Sequence, residues 1–308
     1  MRHRIPLPDH LGSRFTVAEA AAAGIGQWRS STPDLDRPFR GVRTKEAPNT
    51  FRTLLLSYAP RMLPKHRCIG WTAIRLWGLP ASRRWTVDEK LAIAVPRNAA
   101  PPRGPRVKGR RLDVERAQTW RVRGIRCVDP IAALFSVAAE LTVDEAVIIV
   151  DALLTRADNY PALHPWRPVA TVTQIEQRLT EWRSFPGSRT VRAALPLARE
   201  GVESPKETET RLMIVEAGLP EPVVQHEVRE DRRFIARIDL AYPGLQIAIE
   251  YEGDGHRTDQ DQWRRDIQRT RDLEDRGWIV IRLTQHDLRE GKSSFLARLR
   301  NAIASRTA

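Results

Sequence analysis

Asp239, Glu250, Glu252 and His256 fall within one short stretch: Arg237-Ile-Asp239-Leu, then, eleven residues beyond Asp239, Glu250-Tyr-Glu252-Gly253, and then His256. Carboxylates are hard oxygen donors that suit Mg²⁺ or Mn²⁺, and a histidine beside them can move a proton near neutral pH. The chain as a whole carries 51 Lys and Arg against 38 Asp and Glu, a net charge of +13. Acidic metal ligands in a strongly basic chain point to metal-assisted attack on a phosphodiester.

The elements that must hold these residues follow from periodicity. In residues 234–240, Phe234, Ala236, Ile238 and Leu240 alternate with Ile235, Arg237 and Asp239, the period of a strand. Tyr242-Pro243-Gly244-Leu245 is a turn signal. In the next run Leu245, Ile247, Ile249 and Tyr251 share one face, with Gln246, Ala248, Glu250 and Glu252 on the other. A tight turn at Pro243-Gly244 predicts Ala248 opposite Asp239 and Glu250 diagonally across, roughly 7 Å away. The alternative reading of the same residues is a set of solvated acids on the polar face of an edge hairpin.

The flanks supply further elements. Ser204-Pro205-Lys206-Glu207 starts a helix with a capping pattern, and the helix runs to Gly218. Thr258 opens a second helix carrying Asp266, Arg269 and Leu273, with Gly277 to cap its end. Trp278-Ile-Val-Ile-Arg-Leu283 is a buried strand by composition.

Residues 204–288 resemble the very-short-patch-repair-like (Vsr-like) endonuclease family of the PD-(D/E)XK nuclease superfamily. The resemblance rests on Ser-Pro-x-Glu-Thr at 204–208, Ala217-Gly-Leu-Pro220, Asp239, Ile-Glu-Tyr-Glu-Gly at 249–253, His256, Asp266 with Arg269, and Gly277-Trp-x-Val-Ile-Arg282. It implies a restriction-endonuclease-like α/β domain, a central mixed sheet flanked by helices. It also implies roles. Asp239 matches the principal metal-binding aspartate, Glu250 the second acidic residue, and the Tyr251 carbonyl a further ligand. Glu207 matches the acidic residue of the first helix, and His256 the histidine near the scissile phosphate. One position departs from the pattern: the superfamily motif ends in lysine, and here that residue is Glu252. Either Glu252 is a third carboxylate ligand with His256 or hydroxide supplying the base, or the site has lost activity. Glu209 reads as a solvated helix residue. Arg237 and Arg269 are candidate DNA contacts, with a helix-surface ion pair as the alternative for Arg269 and Asp266.

Two cysteines, Cys68 and Cys127, lack the paired spacing of a zinc module and suit a reducing cytoplasm. No apolar run reaches membrane-spanning length, and the first residues lack the apolar core of a secretory signal.

The amino-terminal part reads as a helix over 15–24 capped by Thr16, a second helix starting at Ile25-Gly-Gln-Trp-Arg29, and a basic strand at Phe39-Arg-Gly-Val-Arg43. That order suggests a winged helix-turn-helix. Residues 1–60 resemble the amino-terminal module of the AbiEi-type antitoxin and regulator family. Trp71-Thr-Ala-Ile-Arg-Leu-Trp-Gly-Leu-Pro80 and residues 124–154 resemble the region carboxy-terminal to that module in the same family. Arg29 would face DNA, while Arg37, Arg40 and Arg43 would contact phosphates from the wing. A small helical packing domain is the alternative. Residues 97–126 hold ten basic and two acidic residues among several prolines, an electropositive loop with a strand or two that reads either as a clamp on the DNA backbone or as a solvated run. Further on, 143–154 has the apolar density of a packed helix, with Asp144, Glu145 and Asp151 read as surface acids.

Together these features predict four segments: a winged-helix-like module (1–60), an α+β middle domain (61–155), a helical connector (156–203) and a nuclease-like domain (204–308). The leading function is a cytoplasmic, Mg²⁺- or Mn²⁺-dependent endodeoxyribonuclease acting on duplex DNA, plain, mismatched or branched, away from any membrane. A protein partner or a homodimer is compatible with it. The alternative is a non-catalytic, antitoxin-like DNA-binding regulator on a degenerate nuclease fold.

Overall fold

A computed structural model describes residues 6–307 apart from 114, 158–159, 161 and 254–259. His256 and Thr258 therefore lie outside the described residues. Two compact units account for the internal contacts: 1–140 with 162–168 and 177–188, and 141–161 with 169–176 and 189–308.

The first unit contains β1 (Arg14–Thr16), α1 (Val17–Ala22), β2 (Val42–Thr44), α2 (Phe51–Tyr58), β3 (Arg67–Cys68), α3 (Gly70–Trp77), β4 (Leu91–Val95), β5 (Arg103–Gly104), β6 (Val107–Arg111), β7 (Thr119–Val122), β8 (Ile125–Val128) and α4 (Pro130–Val137). Thr16 and Glu19 close a reciprocal capping box on α1. β1 pairs antiparallel with β2, and Phe15, Ala20, Ile25 and Leu35 form a small core beneath them. The second helix expected from Ile25 is instead a single 3-10 turn at Arg29–Ser31. Pro33 explains the difference, because the residue before a proline is driven out of helical backbone. The next α-helix is α2.

Six strands form the larger sheet of this unit, in the order β5-β6-β4-β3-β8-β7, with β3/β8 and β4/β6 parallel. The basic stretch 97–126 is thus built into four strands where one or two were expected. A turn with positive φ at Arg123 and Gly124 joins β7 to β8, the geometry that matches strand twist in a tight hairpin. Cys68 and Cys127 are free, buried and adjacent across β3 and β8. Gly78 ends α3 at φ +72, where a Cβ would sit 1.6 Å from the Ala162 carbonyl oxygen, so only glycine fits.

Helix α6 (Val172–Trp182) gives its first residues to the second unit and the rest to the first. The second unit continues from α5 (Val143–Leu154) with α7 (Ser188–Ala194), α8 (Pro205–Glu216), β9 (Val223–Glu230), β10 (Arg233–Tyr242), β11 (Ile247–Tyr251), α9 (Gln260–Glu274), β12 (Ile279–Leu283) and α10 (Lys292–Thr307). Its sheet runs β12-β11-β10-β9, antiparallel across β9/β10 and β10/β11 and parallel across β11/β12. The α9 connection between β11 and β12 is what a parallel pair requires. Met213 and Ile214 of α8 and Phe295, Leu296 and Leu299 of α10 cover Leu240, Tyr242, Ile247 and Ile249. A second cluster joins Leu273 of α9 to Ala241, Ala248 and Trp278. Each such buried leucine or phenylalanine contributes roughly 1.5–3 kcal/mol. The chain is a mixed α/β protein, its mixed sheets flanked by helices. Among the described residues no helix is long and apolar enough to cross a membrane.

Candidate active site

The β10–β11 register decides which carboxylates meet. Leu240 pairs with Ile249, Ala241 with Ala248 and Tyr242 with Ile247. Continued by one residue, that register sets Asp239 directly opposite Glu250, not diagonal to it, and Ala248 faces Ala241 rather than Asp239. The connection is longer than the tight turn expected: Pro243–Leu245 form a 3-10 turn and Gln246 comes next in left-handed backbone at φ 52. Two extra loop residues shift the pairing by two and keep every side chain on its face. Directly opposed residues have Cβ atoms about 4.5–5.5 Å apart.

Glu250 is 5% exposed. Its Oε2 accepts from Arg269 Nη2 of α9 at 3.1 Å, while Oε1 is buried with no hydrogen-bond partner. Burial, above all, pushes its pKa up, with the charge of Asp239 acting in the same direction and Arg269 opposing both. Asp239 is half-buried, and burial raises its pKa too; Arg269, the Tyr251 backbone N–H and Arg237 pull the other way. Glu207 brings a third carboxyl from α8. It is 4% exposed, and burial followed by the charge of Asp239 pushes its pKa up to about 7. Asp239 repels both Glu207 and Glu250, and buried carboxyls so placed must hold protons or be met by cations.

Local structure fixes Glu207 firmly. Ser204 caps α8 by accepting from the Glu207 N–H at 3.2 Å. Oε2 of Glu207 accepts from the Glu203 N–H at 3.0 Å and from Gln225 Nε2 at 2.9 Å. Gln225 falls in β9 between the pairs Ile238–His226 and Leu240–Val224, at φ 48, so the strand breaks regularity beside Asp239. The next turn of α8 is locked from α5. Arg211, 1% exposed, donates Nη2 to Asp151 Oδ2 at 3.1 Å and Nη1 to Glu221 at 2.8 Å, and Thr208 donates its hydroxyl to the same Asp151 oxygen at 2.9 Å. Asp151 is fully buried and not the surface acid its sequence context suggests, because its partners lie some sixty residues along the chain.

The other sequence candidates lie elsewhere. Glu252 is exposed and accepts from Arg282 Nη1 at 2.6 Å, so an arginine already engages the residue at the motif lysine position. Tyr251, whose carbonyl was the further candidate ligand, turns its N–H toward the Asp239 carboxylate. Arg237 is exposed and paired with Glu203 at 2.8 Å. Glu209 pairs with Lys206 at 2.6 Å. His256 is outside the described residues. Among the described residues no group of three His, Cys, Asp or Glu side chains is placed to hold a metal.

In the amino-terminal unit Arg29 does not face solvent. It is 5% exposed and paired with Asp34 at 3.1 Å, because the 3-10 turn folds it inward. Arg37 donates to the Ser31 carbonyl and Arg43 to the Ser30 carbonyl, while Arg40 is exposed. Sequence reasoning missed Gln225 and Asp151. No local pattern marks Gln225, and Asp151 sits in a helix whose apolar neighbours alone hint at burial.

No family model matches the chain. It is 28% identical over 183 residues to two proteins of Mycobacterium tuberculosis, the uncharacterized proteins MT2308 and Rv2248, and that stretch covers 59% of the chain. The chain spans 64% of the length of these relatives. Among solved structures, the Rv2827c protein of Mycobacterium tuberculosis is similar at 15% identity and a TM-score of 0.34, over 71% of this chain and 84% of that one.

Proposed function

We propose that the protein is a divalent-metal-dependent DNA endonuclease whose site is Asp239, Glu250 and Glu207. One observation carries the reading: a buried glutamate oxygen, Oε1 of Glu250, has no hydrogen-bond partner, and Asp239, a second and half-buried carboxylate, is near enough that its charge pushes the Glu250 pKa up. A native interior rarely leaves such an atom unsatisfied unless something else meets it. The element order α8-β9-β10-β11-α9-β12, with β11 and β12 parallel, agrees with the restriction-endonuclease-like domain that the Vsr-like resemblance implies.

The donor set fits a hard cation. Mg²⁺ commonly takes one or two protein carboxylates and completes its shell with water and substrate oxygens, so a third side-chain ligand is not required. Asp239 and the free oxygen of Glu250 would hold it. When bound, a divalent cation supplies positive charge against a phosphate and makes water easier to deprotonate. Arg269 keeps Glu250 oriented and offsets its charge, a cationic role that the motif lysine fills in the family. Glu207, titrating near 7, can take up a proton at neutral pH. The amino-terminal elements β1, α1, β2 and α2 would position the duplex in a winged-helix manner, with α2 as the second helix and Arg40 on the outer surface.

A competing reading, a non-catalytic DNA-binding regulator, draws on Arg269 and Arg282, which already engage Glu250 and Glu252. Incubation of plain, mismatched and branched duplexes with Mg²⁺ or Mn²⁺ decides between the two. The nuclease reading requires cleavage that disappears in Asp239→Ala; cleavage of none of them, or equal cleavage by the variant, refutes it.

A further inference from the structure

The first unit carries an open cavity of about 580 Å³ where β4 and β6 meet the start of α3, lined by five basic and three acidic residues. Arg84, Lys90, Lys108 and Arg110 line it and have no ion-pair partner among the described residues, and all four are exposed. Acids nearby are otherwise engaged. Glu89 accepts from Nε and Nη2 of Arg75 at 3.1 and 3.0 Å, and Glu140 is held by Arg83 at 3.3 Å and by Trp71 Nε1 at 2.9 Å. Asp88 remains as the exposed acid of the rim.

From this geometry we infer that the cavity is a second nucleic-acid site, one that grips the phosphate backbone of duplex DNA without reading its bases. It rests on the reading of the protein as acting on DNA and adds to it a docking site in the other unit. Four cations around one open cavity, without an ion-pair partner among the described residues, present positive charge that a polyanion can meet. Lys108 and Arg110 are two residues apart on β6 and therefore point the same way, about 6.8 Å apart along the strand, a spacing comparable to that of successive phosphates. Opposite Lys108 on β4 stands Ala92, a small residue that also lines the cavity. Base stacking is disfavoured. Trp71 is 6% exposed, and the Arg83 guanidinium covers its ring at 4.8 Å, so no aromatic face is open to an unpaired base.

The test is binding of the full chain to duplexes of unrelated sequence, without divalent metal, across a salt series. Lys108→Ala/Arg110→Ala should flatten the slope of log K against log salt by about 1.8, at 0.9 per lost phosphate contact, and weaken every duplex by the same factor. Arg84→Ala/Lys90→Ala, on the other wall, should act in the same direction, and these exposed positions leave the circular dichroism spectrum unchanged. Unchanged slopes in both variants overturn the inference, as does a loss confined to RNA or to one DNA sequence. The outcomes separate from the nuclease reading. Metal-free binding that falls in these variants stands even if nothing is cleaved, and Asp239-dependent cleavage with unaltered binding removes this site alone.

Discussion

Arg269 Nη2 lies 3.1 Å from Oε2 of Glu250, while the other oxygen of that carboxylate is buried and bonded to nothing. The guanidinium thus satisfies one oxygen of the buried carboxylate and leaves the other unmet, with the charge of Asp239 close by. A buried charge that loses a partner is costly, and Arg269 is itself only partly covered. Arg269→Ala should therefore lower stability by roughly 1–3 kcal/mol in EDTA. Mn²⁺ should restore more of the melting temperature in the variant than it adds to the wild type, because it replaces the missing charge. Thermal melts with and without Mn²⁺ check this; equal metal-induced shifts in the two proteins would show that Glu250 does not face a cation site.

Glu207 makes the metal-free protein pH-sensitive. Its pKa rises from an ordinary 4.5 to about 7 in the folded state, mainly through burial. Below pH 4.5 the carboxyl is protonated in both states and costs nothing. Between 4.5 and 7 the unfolded chain gives up the proton and the folded one keeps it, so stability falls with rising pH by about 3 kcal/mol in total. Glu207→Gln should remove that slope and make the protein more stable than wild type above about pH 7 in EDTA. Denaturant melts from about pH 4 to about pH 8 measure it. Mn²⁺ affinity in the wild type should rise over the same range, since bound metal needs the ionised carboxylates.

Much of the second unit was legible because its signals are local. α5 spans Val143–Leu154 as its apolar density indicates, Ser204 caps α8, and Gly277, at φ 81, ends α9 before β12. β9 was not legible: Val223–Glu230 is Val-Val-Gln-His-Glu-Val-Arg-Glu, an edge strand with one well-buried residue, so its composition resembles a loop. The hairpin was found but its register was not, because a 3-10 turn leading into a left-handed Gln246 is invisible in a Pro-Gly signal that also fits a two-residue turn. Charges were hardest to place. Arg29 and Asp151 are buried by partners, and a window of sequence shows a charged side chain without showing what neutralises it.

Asp151 gives this point a measurable form. Asp151→Ala leaves Arg211, 1% exposed, with only Glu221 as an acidic partner and strips Thr208 of its acceptor. Removing one member of a buried pair typically costs about 3–5 kcal/mol, and a similar loss is expected in urea melts. A drop below about 1 kcal/mol would mean that α8 is held by its apolar face alone.

Arg29 and Arg40 should behave in opposite ways. Arg29 is enclosed and bonded to Asp34 and Thr32, so Arg29→Ala should lower the melting temperature and leave the salt dependence of DNA binding unchanged. Arg40 is exposed, and Arg40→Ala should keep the melting temperature while reducing the salt slope by about 0.9 if it contacts a phosphate. A paired melt and salt titration on each variant gives the answer.

Glu252 and Glu250 separate two designs for the site. If a third carboxylate replaces the motif lysine, Glu252→Ala should weaken Mn²⁺ about as much as Glu250→Gln does. The geometry argues for the other outcome. Glu252 is exposed and its Oε1 is taken by Arg282 at 2.6 Å, while Glu250 is buried with an oxygen to spare. An exposed ion pair is worth up to about 1 kcal/mol, which limits the effect of Glu252→Ala on Mn²⁺ affinity to about fivefold. Glu250→Gln keeps the shape but loses the charge opposite Asp239, and should cost a hundredfold or more, beyond the roughly 10–100-fold of a disturbed outer-sphere partner. Calorimetric titration of the two variants with Mn²⁺ distinguishes the cases. Comparable losses would move the metal toward the Arg282 side of the sheet, and no Asp239-dependent binding in the wild type would leave the carboxylates as a protonated relic.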